Sequence, residues 1–482
     1  MANLSPRKRV SDPVHGIVEL TQVEADVMSS KAFQRLHNVR QLGLAHYVFP
    51  AANYSRFAHS IGACHNAQRL LAAIQKNSGK KIPDKTAQLV RLAALVHDIG
   101  HYPFSHAFEH EIEEFYTNSD FLEGGLTPHF TGGGVWDHEE MGAKVLALDP
   151  ELRGILSKYK IQPNDIEDAF KKPANPLGGI LSSDLDCDRL DYLRRTAHHS
   201  GLPYGNVDIN YIIDQATTDE VGQFCFGKKA IRAADHLLVS RYFDYLQVPY
   251  HKSVVALEWS LRVIIRELLV RSKMRCSAAD MRQLVESKGW RNFDDNTILA
   301  RARELRDCLK EHRGRPNRDN GVLAHLDAIL HRTPAKVVAA YEAVGPANAP
   351  TVVDTKAIEA IVADFRGRHG LCELALHVWK PKDFALIKAA TRSIGEAVQL
   401  LVGITKEEPE YYEYVQIAEN SALAKPIFEF PQALMNQIHN FRYKACRVYA
   451  LFNGNSNFEA MVKRELCPAL QEGGLAVSEF AA

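Results

Sequence analysis

Cysteine is sparse in this chain and never sits at metal-binding spacing. The eight, at Cys64, Cys187, Cys225, Cys276, Cys308, Cys372, Cys446 and Cys467, include no Cys-x-x-Cys pair. That argues against a structural zinc module and fits reduced thiols in the cytosol. Long apolar runs are lacking too: none approaches the roughly 18 residues of a membrane-spanning helix. No leader-like amino-terminal stretch is visible, so the expectation is a soluble, cytoplasmic protein with no membrane partner. Net charge is missing as well, 58 basic residues balancing 58 acidic ones, which leaves no overall bias toward a polyanion. There is no internal repeat and no low-complexity segment, which excludes solenoid and fibrous architectures. A chain of 482 residues is long for one compact core, and two subdomains or a large helical body with additions is expected.

Histidine, in contrast, is plentiful: there are 21, crowded between residues 37 and 138. The central stretch is Leu89 to His101, apolar on nearly all sides and ending in His97-Asp98, with Gly100 available to terminate the helix. Burying an imidazole with a carboxylate is costly unless something compensates, and a divalent cation compensates both. A lone His-Asp pair is more often a core histidine beside a turn residue, so the reading rests on what else the chain supplies. Upstream, Val10 to Leu20 reads as a turn with a short strand or hairpin, and Val23 to Leu42 has helical spacing with Gly43 placed to end it. Asn53 or Ser55 can cap a helix carrying Arg56 and His59. Asp84 is placed to cap the central helix.

Past the His-Asp pair, His101 and His106 follow within nine residues, suited to proton transfer or to phosphate oxygens. Residues 117 to 135 are rich in glycine and read as a loop beside the pocket. Trp136-Asp137-His138 then starts another helix. The segment Leu181 to Arg195, read as a helix, puts Asp184, Asp188, Asp191, Tyr192 and Arg195 on one side. Stacked carboxylates repel unless a cation or arginines lie among them. Further on, Ala234 to Val270 and the charged residues 274 to 312 read as helical. Arg313 to Gly321 and Gly345 to Pro350 read as linkers, and Leu374 to Trp379 and Tyr411 to Ile417 as strands. The basic run from Arg301 to Arg318 reads as a solvated helix face in preference to a nucleic-acid contact.

Taken together, these motifs resemble the HD-domain metal phosphohydrolases, and in particular their deoxynucleoside triphosphate triphosphohydrolase branch. The resemblance runs through Asp12-Pro13-Val14-His15-Gly16, Phe33-Gln34-Arg35-Leu36, Gln41-Leu42-Gly43, Tyr47-Val48-Phe49-Pro50 and Arg56-Phe57-Ala58-His59-Ser60. It continues through His97-Asp98-Ile99-Gly100-His101, Pro103 to His106, Asp188-Arg189-Leu190-Asp191-Tyr192 and His198 to Gly201, about the first half of the chain. It implies a mostly α fold, an HD-domain helical core with a smaller α+β carboxy-terminal region. The implied division is an N-terminal segment at 1–50 with effector or oligomer contacts, a catalytic domain at 51–270 and the α+β region at 271–482.

Carried over residue by residue, the resemblance makes His59, His97, Asp98 and Asp188 metal ligands, and His101, His106 and His138 catalytic. Arg56 and Arg189 would contact phosphates, Gln41 and Tyr192 the sugar, and Leu42 the base. Thr196 stands where relatives commonly have an aspartate that reads the sugar. Arg241, Tyr250 and Lys252 align more loosely as further substrate contacts. Lys8 is the one candidate effector contact, because Ser29 and His37 occupy the positions that would read a guanine nucleotide. The implied cofactor is a divalent metal, Mn, Fe, Zn, Ni or Mg, with Mg accompanying the nucleotide. The implied reaction is attack of activated water on the α-phosphorus of a deoxynucleoside triphosphate, leaving nucleoside and triphosphate, in a homodimer or homotetramer with or without a nucleotide effector. Rival readings are an HD-family nucleotide phosphatase or phosphodiesterase, and a nucleotide-sensing or single-stranded nucleic-acid-binding protein.

Overall fold

The computed structural model describes residues 4–117, 134–171, 174–311, 317–349, 353–381, 384–385, 411, 413–420 and 422–478. The glycine-rich loop expected at 117–135 and the start of the linker expected at 313 therefore lie almost wholly outside the described residues. The chain opens with an antiparallel hairpin, Lys8–Asp12 against Gly16–Leu20. Its turn is fixed by Asp12, whose Oδ1 accepts the amides of Val14 and His15, each at 2.9 Å, and by Gly16 at φ +75°.

Helix formation between 22 and 42 is less continuous than the apolar spacing predicts. Thr21 and Glu24 form a capping box that starts the Gln22–Ser29 helix. Ser30, extended at ψ 147°, ends it and caps a short Lys31–Gln34 turn, which passes into a 3₁₀ turn over Arg35–Asn38. Gly43 does take the left-handed conformation, at φ +51°, but in a turn beyond the helix.

Two long helices carry the middle of the molecule. Arg56–Ser78 is capped by Ser55 at its start and by Gly79 at φ +66° at its end. Asp84–Val96 follows with Pro83 at its N-cap, so Asp84 is the first helical residue and not the cap. This helix stops before the His-Asp pair, and Gly100 is not its left-handed terminator. Gly100 is needed for another reason: a Cβ there would lie 2.1 Å from the Gly142 nitrogen and 2.2 Å from the His138 carbonyl oxygen. The His138–Leu148 helix, capped by Asp137, crosses the chain at that point. The Cys187–Ser200 helix starts at its cap Asp186, which leaves Asp184 outside it, and packs against Arg56–Ser78. Their crossing is permitted by Gly62, where a Cβ would fall 1.9 Å from Asp191 Oδ1.

Ala234 to Val270 divides into Ile231–Gln247 and Lys252–Val270, and residues 274–312 into Ala278–Glu286 and Asp295–Glu311. Asn317 to Gly321, expected as linker, already belongs to the Asn317–Leu330 helix. One apolar cluster, including Phe33, Leu70, Leu92, Phe108, Leu190 and Ile264, unites these helices. A second, built on Val338, Phe365, Val448 and Leu470, lies under the carboxy-terminal sheet. That sheet runs Ala476–Val477, Lys336–Pro346, Phe441–Ala450, Leu376–Trp379, all antiparallel, with Phe384–Ala385 also paired to Phe441–Ala450. A smaller sheet joins Ala216–Thr218, Phe224–Gly227, Gln416–Ala418 and Lys425–Pro426. The fold is thus mostly α with a smaller α+β carboxy-terminal region. No helix among the described residues is long and apolar enough to cross a membrane.

Candidate metal and phosphate site

Three structural segments bring four donors together. His59 projects from the first turn of Arg56–Ser78, His97 and Asp98 follow the end of Asp84–Val96, and Asp188 lies in the first turn of Cys187–Ser200. His59 Nε2 is 3.2 Å from His97 Nε2 and 2.9 Å from Asp188 Oδ1. His97 Nε2 is 3.3 Å from Asp98 Oδ1 and 3.8 Å from Asp188 Oδ1.

The ring tautomers follow from the outer partners. His97 Nδ1 lies 2.8 Å from the Ala94 carbonyl and His59 Nδ1 2.7 Å from Asp191 Oδ2, so both Nδ1 atoms carry protons. In the neutral rings the two Nε2 lone pairs then face each other beside two carboxylates. Such a set needs a cation between its members. In its absence a proton serves: burial disfavours the imidazolium of His59, but Asp188 and Asp191 raise its pKa to about 10. Asp98, which burial would push up, is held well below the usual carboxylate range by Arg56, His97 and His101. Two imidazoles and two carboxylates fit a first-row divalent metal and do not select one.

Behind the donors lies a buried ion cluster that sequence reading did not assign. Asp191, fully buried, accepts from His59, from Arg195 at 2.8 and 2.9 Å, and contacts His15 Nε2 at 2.6 Å. Arg195 in turn donates to Asp12 at 2.8 Å, tying the amino-terminal hairpin to the site. Asp12, His15 and Asp191 all stand in the motifs quoted above, so the signal was present without its meaning.

Beside Asp98 is a second group. His101 Nε2 lies 3.2 Å from Asp98 Oδ1, and its ring stacks on His138 at 4.2 Å. His138 Nδ1 reaches Glu109 at 3.0 Å, and His106 Nδ1 reaches the same carboxylate at 3.3 Å. Burial and the charge of Arg56 hold His101 well below the ordinary histidine range. Burial opposes protonation of His138 too, but Glu109 outweighs it and raises the pKa. One neutral ring stacked on one readily protonated ring is a pair able to take and give a proton. The sequence cue to Glu109 is its place three residues after His106 on a helix, which sets the two side chains on one face.

The remaining predicted residues are distributed unevenly. Arg56 is buried beside the donors, giving hydrogen bonds to Asp98 Oδ2 at 2.6 Å and Ser105 Oγ at 2.8 Å. Arg189 is turned elsewhere: its guanidinium donates to the Ser183 carbonyl and lies 3.4 Å from Asp184 and 3.7 Å from Asp186. Gln41 and Thr196 meet through Tyr54, whose carbonyl accepts the Gln41 amide at 3.2 Å and whose hydroxyl lies 2.8 Å from Thr196 Oγ1. The Gln41 Oε1 is buried with no hydrogen-bond partner. Leu42 packs on Ala45, Val248 and Val254. Tyr192, half-buried, feels the charges of Arg241 and Arg189. Arg241 lies over Tyr245 and Phe384, and Tyr250 packs near Trp379, Phe384 and Tyr443. Lys252 is exposed at a helix start, and Lys8 is exposed on the hairpin opposite Leu20.

Residues 56–193 match the HD domain, a span that contains all four donors, Glu109, Asp191 and the three further histidines. This segment, less than a third of the chain, is accordingly similar to the HD-domain family. Among characterised and uncharacterised proteins it is similar to an uncharacterized protein of Methanocaldococcus jannaschii, 31% identical over 64% of this chain and 58% of the relative. It is also similar to the deoxynucleoside triphosphate triphosphohydrolase SAMHD1 of Homo sapiens, 31% identical over 44% of this chain and 36% of that protein. The chain thus spans less than two thirds of these relatives. In fold it resembles a phosphohydrolase from Bacteroides thetaiotaomicron, with a TM-score of 0.66 and 21% identity, covering 92% of this chain and 99% of the other.

Proposed function

We propose that the protein is a metal-dependent phosphohydrolase that converts deoxynucleoside triphosphates to nucleoside and inorganic triphosphate. The observation that carries this reading is the convergence of two imidazole lone pairs and two carboxylates, with Arg56 and a histidine–glutamate group on one flank. His59, His97, Asp98 and Asp188 would hold the metal, Mn, Fe, Zn, Ni or Mg. When bound, it would acidify a water molecule and neutralise charge developing at the α-phosphorus.

The chain's own groups supply the rest. Asp191 fixes the ring of His59, and the Ala94 carbonyl that of His97. Arg56 presents positive charge where phosphate oxygens would lie. The His101 and His138 pair, steadied by Glu109, would take the proton of the attacking water and return one to the leaving 5′-oxygen. Gln41 Oε1, buried and unpaired, is suited to a sugar hydroxyl, and Tyr192 and Leu42 to the sugar and base. Nucleotide-borne Mg²⁺, a homodimer or homotetramer, and the division into 1–50, 51–270 and 271–482 complete the proposal.

A specific observation favours a second reading within the same class, a nucleotide phosphatase or phosphodiesterase. Arg189 must leave Asp184 and the Ser183 carbonyl before it can reach a polyphosphate. Incubation of the protein with each dNTP and Mn²⁺ or Mg²⁺, with products resolved chromatographically and Asp98→Ala as control, separates the two. Nucleoside with intact triphosphate supports the first reading; monophosphate with pyrophosphate, or release of inorganic phosphate, supports the second.

A further inference from the structure

Between Asp98 and His106 the chain passes through Gly100-His101-Tyr102-Pro103-Phe104-Ser105. Its last two residues hold φ of 55° and 57°. Two successive side-chain-bearing residues in the left-handed region are unfavourable, and such a turn persists only where its surroundings over-determine it. Part of that support is local: Ser105 donates its amide to the Tyr102 carbonyl at 2.9 Å, and Ser105 Oγ accepts from Arg56 Nε.

The other part comes from residues 290–295, beyond the span that matches the HD domain. Asp295, the first residue of the Asp295–Glu311 helix and fully buried, accepts the Phe104 amide at Oδ1, 2.7 Å away. Its second oxygen, Oδ2, accepts the Arg40 amide at 3.1 Å and Arg40 NH1 at 3.4 Å. Arg35, lying 3.9 Å over Trp290, donates to the Phe293 carbonyl at 2.6 Å and to the His101 carbonyl at 2.7 Å. The two turns joined by Asp295 also run close together, since a Cβ at Gly43 would lie 4.0 Å from the Phe104 carbonyl oxygen.

One carboxylate therefore spends one oxygen on the turn that carries His101 and His106, and the other on the turn that carries Gln41 and Leu42. We infer that Asp295 is a positioning residue, outside the HD domain, that sets the distance between the proton-transfer histidines and the segment that recognises the nucleoside. The part concerning the nucleoside rests on the proposed function; the tie between the two turns does not. Asp295 touches none of the four metal donors, so its loss leaves metal binding intact. An asparagine at 295 keeps the shape but presents an NH₂ group to one of the two amides, and so releases one turn.

The test compares the full-length wild type, Asp295→Asn and Asp219→Asn. Asp219 is a buried carboxylate of the same kind, with Oδ1 accepting the amides of Val221 and Gln223 and Oδ2 that of Ala424, and among the described residues it bonds neither to residues 290–295 nor to the histidines. Mn²⁺ affinity, kcat and KM for deoxy- and ribonucleoside triphosphates, and hydrogen exchange of peptides covering 38–44 and 100–106 are measured. For Asp295→Asn we expect Mn²⁺ affinity within about threefold of wild type, and kcat lower by about 10- to 100-fold as expected of a displacement near 1 Å. The deoxy-to-ribo preference shrinks and exchange rises in one or both peptides, while Asp219→Asn shows none of this at similar stability. Kinetics and discrimination in Asp295→Asn that match Asp219→Asn would overturn the inference. If wild type hydrolyses no nucleotide, the functional reading fails, and exchange alone decides the tie: faster in these peptides upholds it, unchanged refutes it. Should Asp295→Asn not fold, Arg40→Ala, which removes only the 3.4 Å tie of a partly exposed side chain, gives the same readouts at smaller size.

Discussion

Asp191→Asn isolates the contribution of the buried ion cluster to metal affinity. The substitution preserves volume at a fully buried position and removes one negative charge. His59 Nδ1 then donates to a neutral amide oxygen, or faces an amide NH₂ and turns its ring, and His15 and Arg195 lose the carboxylate they share. Arg195 keeps Asp12, so the fold loses about 1–3 kcal/mol, less than the roughly 3–5 kcal/mol of an uncompensated buried charge. Loss of an outer partner of a ligating histidine typically weakens metal binding by about 10- to 100-fold, or about 1.4–2.7 kcal/mol. Calorimetric titration of Mn²⁺ into wild type and variant at neutral pH measures the affinity, and urea unfolding of both measures the stability. A folded variant that binds Mn²⁺ within twofold of wild type would refute the claim that Asp191 orients His59 as a ligand.

The raised pKa of His59 makes metal binding a proton displacement: from near pH 7 up to about pH 10 the affinity for Mn²⁺ should climb about tenfold per pH unit, by titration at several pH values. By the same sign, the metal-free fold draws stability from protonated His59 that is fully present below about pH 6.5 and is lost as pH rises through about 10. Thermal unfolding should show that loss without Mn²⁺ and not with it. Glu109→Gln removes the charge that favours protonated His138 and should lower kcat by about 100-fold while leaving Mn²⁺ affinity within about threefold, which separates proton transfer from metal ligation. Gly100→Ala, driven against the backbone of His138 and Gly142, should cost about 3 kcal/mol or more by urea unfolding. Gly154→Ala, in a helix with open space around it, should instead gain about 0.5–1 kcal/mol.

That His59, His97, Asp98 and Asp188 lie together could be anticipated from the sequence because several ordered motifs jointly point to them even where each residue alone is ambiguous. Their supports could not. Asp191 reads as one more carboxylate on a charged stripe, and nothing local says that it turns inward onto His59 and not outward to solvent. Arg189 shows the opposite limit: a basic residue beside a metal ligand suggests phosphate contact, yet Asp184 and Asp186, three to five residues before it, capture the guanidinium. The helix expected from Val23 to Leu42 breaks at Ser30 because a serine hydroxyl offers the Phe33 amide an alternative partner, which apolar periodicity does not register. The position of Gly100 predicts a helix-ending role, whereas its need arises from a chain segment some forty residues away.

That crossing has a mechanical meaning. With no room for even a methyl group between Gly100 and the His138–Gly142 backbone, the segment carrying His97 and Asp98 and the helix carrying His138 cannot slide or hinge past one another without first separating. His97, Asp98 and His138 are therefore held at this crossing as one block. Any opening that admits a substrate or releases a product has to occur along other seams of the molecule.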